Sequence, residues 1–67
     1  MRTVSDNISQ LLEESGRKQK ELAEYVGVNP VTVGTWVHGV SDPLTRFIPW
    51  IAAFFEVPIE RLFKGVR

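Results

Sequence analysis

Arg17, Lys18 and Lys20 fall within four consecutive positions, interrupted only by Gln19. Three cations and a carboxamide at that spacing suit an oxyanion, above all a phosphate, although the same charges also fit an ordinary solvated turn. Ten residues further on, Asn29, Pro30, Val31, Thr32, Gly34, Thr35 and His38 form a run of small polar and apolar side chains with a single imidazole. The chain has no cysteine and one histidine, which removes a thiol nucleophile and a thiolate zinc site and leaves a metal site improbable. No nucleophile, base and orienting group can be assembled from what is left, so an enzyme is a distant third choice. The chemistry on offer is non-covalent binding that calls for no cofactor.

The elements that must position these residues are limited by size. The 67 residues, 7.6 kDa, predict one domain spanning residues 1–67. A chain of that mass should expose roughly 4,300 Å² when folded against about 11,000 Å² unfolded, enough burial for one modest core. Hydrophobic residues at 43% and charged residues at 24% fit a packed globule and exclude a disordered tail. Disulfide staples are excluded, no apolar run approaches the ~20 residues of a membrane span, and MRTVSDNISQ has no apolar signal core. A soluble, cytoplasmic protein with no membrane partner is expected. Eight Lys+Arg balance eight Asp+Glu, and the pI is about 6.6. Nucleic-acid-binding domains often exceed a pI of about 9, so either the positive charge is gathered on one face or nucleic acid is not the main partner.

Apolar residues recur with helical periods only. Val4, Ile8, Leu11 and Leu12 predict helix one over about residues 5–15, with Ser5 as cap and Gly16 as stop. QKELAEYV predicts helix two, about 19–26, with Leu22, Ala23 and Val26 inward and Gly27 ending it. Asn29-Pro30 is an N-cap followed by a pre-organised first helical residue, so helix three starts at once. It turns Val33, Trp36 and Val37 inward and stops at Gly39. VSDPLT reads as a surface loop. Helix four carries Phe47, Ile48, Ile51, Ala52 and Phe55 inward and starts near residue 47 or 48, because Pro49 must lie in its first turn. Pro58 opens a short fifth helix with Ile59, Leu62 and Phe63, closed by Gly65. The expectation is an all-α, five-helix domain.

A short helix, a glycine-led turn and a second capped helix form the layout of a helix-turn-helix. QKELAEYVGVNPVTVGTWVHG resembles the DNA-binding unit of the phage-repressor and Cro-type family, also called XRE. The resemblance rests on Gln19 opening helix two, Ala23 where the two helices touch, Gly27 in the turn, and Val33 and Trp36 beneath helix three. RFIPWIAAFFEVPIERLFKG is similar to the fourth and fifth helices of the same family, so the likeness extends over about residues 5–65. It implies a compact lambda-repressor-like fold, a sequence-specific transcriptional regulator such as a repressor, and binding to duplex DNA as a homodimer on two-fold-related half-sites. It also implies that Gln19 and the first turn of helix two hold a phosphate, that helix three enters the major groove, and that Arg46 is a further phosphate contact.

Two features depart from that family reading. Spacing puts Val31, Gly34, Thr35 and His38 on the outward face of helix three, led by Asn29 and Pro30. Direct readout favours Arg or Lys on guanine and Asn or Gln on adenine, and helix three has none of these beyond its cap. Val31 can meet a thymine methyl and Thr35 a base or phosphate, while Asn29 caps and touches backbone. Gly34 weakens its own helix by about 1 kcal/mol relative to Ala, as if something must approach closely. On helix four, spacing puts Trp50, Ala53 and Phe54 opposite Ile51 and Phe55, an aromatic surface suited to a protein partner or a second copy. The alternative is that Phe54 tucks under helix five and Trp50 lies flat on a neighbouring stem. Two uses therefore stand side by side: a DNA-binding regulator, or the same fold, natural or engineered, as a protein-binding module through Gly34, His38, Trp50, Ala53 and Phe54.

Overall fold

Thr3 starts the first helix, in place of Ser5. Its backbone is extended, its hydroxyl accepts the Asp6 N–H at 3.1 Å, and the Asp6 carboxylate accepts the Thr3 N–H at 2.9 Å. This reciprocal box satisfies two donors that a helix start otherwise leaves orphaned. Ser5 is buried in the first turn instead, its hydroxyl without a partner among the described residues. The chain is described over residues 2–66 by a computed structural model. Its elements are α1 (Val4–Ser15), α2 (Gln19–Val26), α3 (Pro30–Val37), a 3₁₀ turn (Thr45–Phe47), α4 (Ile48–Phe55) and a second 3₁₀ segment (Ile59–Phe63). The all-α architecture expected from the periodicity is present, with no strand among the described residues.

Phase along each helix decides what is buried. Ile8, Leu11 and Leu12 of α1 meet Leu22 and Ala23 of α2, Val33 and Trp36 of α3, five residues of α4, and Leu62 in one apolar cluster. The accessible surface, 4376 Å², agrees with the roughly 4,300 Å² that the chain's mass requires. Ala23 of α2 is fully buried, and α2 packs on α3. Gly27 ends α2 at φ 88°, a left-handed conformation that costs a glycine nothing. Asn29 then caps α3, its Oδ1 accepting the Val31 N–H at 2.8 Å.

The fifth helix of the sequence reading is a 3₁₀ segment. Its residues span only Ile59–Phe63, and Asn7 draws the carbonyls of Leu62 and Lys64 sideways through its Nδ2, at 2.7 and 3.0 Å. Those acceptors turn to a side chain rather than onward along a helix axis. Asn7 is fully buried, and its Oδ1 accepts from Arg2 Nε at 2.6 Å, so one amide joins both ends of the chain to α1. Leu62 alone of the segment enters the core; Ile59 and Phe63 stay half exposed beside Val4, Pro43, Ile48 and Pro49. The loop after α3 also folds further than its composition suggested, because Thr45–Phe47 winds directly into α4.

Candidate nucleic-acid interface

Lys18 is the cap residue of α2, and lysine has no acceptor with which to satisfy the helix's first N–H groups. The Glu21 carboxylate takes the Lys18 N–H at 3.0 Å, and the Lys18 carbonyl accepts from Leu22 at 3.2 Å. The N–H groups of Gln19, Lys20 and Glu21 belong to the first turn and have no intrahelical acceptor. That end therefore carries donors, the positive end of the helix dipole, and two exposed ammonium groups that form no ion pair among the described residues.

Arg17 behaves differently from its neighbours. Its guanidinium donates to the Phe54 carbonyl, lies 3.4 Å from the Glu56 carboxylate, and stacks 4.8 Å from the Phe54 ring centroid. It joins the α1–α2 turn to the end of α4, which leaves Lys18 and Lys20 as the uncommitted cations of the expected basic turn. Arg46 has a fixed base of another kind. Its guanidinium sits 5.0 Å from the Phe47 ring, and Phe47 in turn lies 5.9 Å from Trp36, so an aromatic stack runs from beneath α3 to an exposed charge.

The outward face of α3 carries no charge. Val31 is 74% exposed and His38 is exposed at the helix end, while Thr32, Gly34 and Thr35 are half-buried. Thr35 is more committed than expected. Its single hydroxyl hydrogen goes to the Thr32 carbonyl at 2.6 Å, so Ser41 must be the donor in the 2.8 Å Thr35–Ser41 bond. The hydroxyl holds the turn after α3 and keeps only a residual lone pair for a ligand. Pro30, Val31, Gly34, Thr35 and His38 line one concavity together with Gln19 of α2 and Val40, a volume of about 450 Å³. Gln19 was expected at the phosphate; its place beside α3 depends on a tertiary approach that spacing within either helix does not encode.

The surface proposed for a protein partner changes in membership. Phe54 is buried, with its ring 5.4 Å from Tyr25 and 5.0 Å from Phe55 and with Arg17 above it. Its expected exposure is thus corrected: Tyr25 of α2 and Arg17 of the α1–α2 turn lie against it. Trp50 is 56% exposed, Ala53 is exposed beside it on α4, and Tyr25 meets Trp50 edge-on at 6.3 Å. Tyr25 was missed as a member because its role depends on α2 and α4 packing together. Gly34 and His38 belong to the α3 concavity, and no aromatic contact or shared lining residue joins them to Trp50.

A family model described as helix-turn-helix matches residues 8–62, which spans both helices of the motif and the core elements behind them. The chain belongs to this helix-turn-helix family, of the phage-repressor or XRE type, whose members are DNA-binding regulators. No curated protein and no solved structure matches it significantly. Among the described residues no helix is long and apolar enough to cross a membrane, and no group of three or more His, Cys, Asp and Glu gathers to hold a metal.

Proposed function

We propose that this chain binds duplex DNA as a transcriptional regulator, with α3 laid in the major groove and the start of α2 against a backbone phosphate. One observation carries the reading: the α2 N-terminus, uncapped and flanked by Lys18 and Lys20, opens beside the exposed, charge-free face of α3. The major groove admits an α-helix, and α3 turns the small side chains of Val31, Gly34 and Thr35 outward, where Val31 is exposed and the other two half-buried. Arg46, on its Phe47 base, supplies a second phosphate contact. Asn29 is spent on its cap, and Val31 offers a thymine-methyl contact.

Two of the chain's arginines are paired internally, Arg17 with Glu56 and Arg61 with Glu14, whereas Lys18, Lys20 and Arg46 form no ion pair among the described residues. The cations left near the motif are few, so affinity should depend on salt with a shallow slope. Neutralising about three phosphates through Lys18, Lys20 and Arg46 gives log K falling by roughly 2.7 per decade of salt. Fluorescence anisotropy with random-sequence duplexes across a salt series tests it. Absence of binding at about 50 mM salt would exclude the reading.

The Tyr25–Trp50–Ala53 surface favours a second use, as a protein contact. Two half-sites on DNA call for two copies of the chain, and this aromatic face is a suitable anchor for that pairing or for another protein. Sedimentation with and without duplex separates a DNA-linked pair from a module that associates without DNA.

A further inference from the structure

The turn that closes α3 holds an apolar side chain that the fold does not use. Gly39, at φ 74°, donates its N–H to the Trp36 carbonyl at 3.3 Å, and Val40 donates to the Thr35 carbonyl at 2.9 Å. In helix ends nested this way around a left-handed glycine, the residue in Val40's place ordinarily packs its apolar side chain on the helix residue five or six positions earlier. Here those residues are Thr35 and Gly34, the one short and hydroxylated, the other without a side chain. Val40 is left 77% exposed although its backbone is fixed. Ser41 adds to that fixing, its N–H on the Thr35 carbonyl at 3.3 Å and its hydroxyl on Thr35 Oγ1 at 2.8 Å. Val40 lines the same concavity as Gln19, Pro30 and Val31, so it is continuous with the surface given to DNA above. Val31, at the other end of α3, is 74% exposed. Between the two valines the hydroxyl of Thr35 is engaged, as is the side chain of Asn29 at the cap.

We propose that Val40 is a base-contacting residue of this domain, and that Val31 and Val40 together read the C5-methyl groups of pyrimidines in the major groove. The C5-methyl is the apolar group that a thymine presents there, and a methylated cytosine carries the same group at the same place. A valine held on a pinned turn or a helix has little freedom left to lose when a methyl covers it. The inference rests on the DNA-binding reading and deepens it: it names the group on the base that is recognised, and it extends the reading surface past the end of α3.

The test begins with selection of preferred sites from a randomised duplex library by the whole chain. Each enriched thymine is then replaced by uracil, which removes the methyl and keeps the hydrogen-bonding edge. The parent should lose about fourfold in affinity at each of two positions per half-site, the ratio that burial of one methyl group corresponds to. Val40→Ala should abolish the thymine–uracil difference at one of these positions and Val31→Ala at the other. Both side chains are exposed, so both variants should melt with the parent. At the same positions, duplexes with methylated and unmethylated cytosine separate the two sources of the methyl. A gain of similar size with methylated cytosine supports the proposal with the methyl alone as what is read, and a difference at thymine only supports it with thymine as the source. A parent that binds thymine and uracil duplexes equally overturns the proposal while leaving the DNA-binding reading standing. A thymine–uracil difference that survives intact in Val40→Ala overturns it as well, whether or not overall affinity falls, because the methyl is then read elsewhere. A parent that binds no duplex removes the proposal and the DNA-binding reading together.

Discussion

The two tryptophans of this chain sit in short helices of equal length and have opposite fates. Trp36 of α3 is 2% exposed and Trp50 of α4 is 56% exposed. In α3, Val33 and Trp36 are three residues apart and share the face that packs on α1 and α2, which leaves Val31, Gly34 and His38 outward. In α4 the inward positions go to Ile48, Ile51, Ala52, Phe54 and Phe55, a wide apolar arc, and Trp50 falls on the opposite side with the exposed Pro49 and Ala53. The lesson is that residue type alone does not mark a core. α3 spends its large side chain on anchoring itself, so its slim outer face can meet a ligand. α4 is anchored without its tryptophan and shows it to solvent.

Truncating Trp36 to Ala should produce the largest effect, a loss of about 3–5 kcal/mol from cavity formation and lost transfer energy. In a domain this small that is most of the stability, so a denaturant titration should show a largely unfolded variant. A melting temperature within a few degrees of the parent would mean that α3 is held by something other than its tryptophan.

Arg17 comes next, because it bears on which surface the basic turn serves. Its contacts to the Phe54 carbonyl, the Phe54 ring and Glu56 are partly exposed, and Arg17→Ala should cost about 1–2 kcal/mol. Duplex affinity should change little, in contrast to Lys18→Ala, which should weaken binding uniformly and flatten the salt slope by about one unit. An Arg17→Ala variant with unchanged melting and weakened DNA binding would return Arg17 to the phosphate.

Trp50→Lys should cost about 1 kcal/mol or less, the value of an edge-on aromatic pair at a half-exposed site, since the lysine stem can still cover Tyr25. Self-association in sedimentation should fall if the Tyr25–Trp50 face joins two copies. Loss of fold would show that α4 depends on Trp50 as α3 depends on Trp36.

What the sequence made legible follows the same division. Spacing of Ile8, Leu11 and Leu12, or of Val33 and Trp36, records a helix's own phase, and Asn29-Pro30 records a start, because both are local. Thr3 and Asp6 also form a local signal, but Ser5 is an equally good cap type and drew the cap two residues too far along. Phe54 could not be placed from α4 alone, since its cover comes from Tyr25 and Arg17 in other elements. Asn7, which binds the carbonyls of Leu62 and Lys64 across the length of the chain, left no trace in any period. The candidate interface divides likewise: its basic turn and the composition of α3 were readable, while the approach of Gln19 to Gly34 belongs to the packing of α2 on α3.

The smallest effect expected is at Gly34, and its sign is opposite to the others. A Cβ there would stand 3.6 Å from Gln19 Oε1, ordinary van der Waals contact, and the helix would gain the propensity that glycine forfeits. Gly34→Ala should therefore stabilise the fold by about 0.4–1 kcal/mol, read as a rise of a few degrees in melting temperature. A methyl at that distance displaces nothing, so duplex affinity should be retained even as stability increases. Gain of stability with retained affinity means that no ligand comes close enough to α3 at this position to meet a methyl. Gain of stability with lost duplex affinity would mean instead that DNA backbone or a base edge approaches α3 more closely than the Gln19 amide allows. No gain at all would mean that the helix propensity glycine forfeits at this position is offset elsewhere, since a methyl at 3.6 Å asks no shift of the carboxamide.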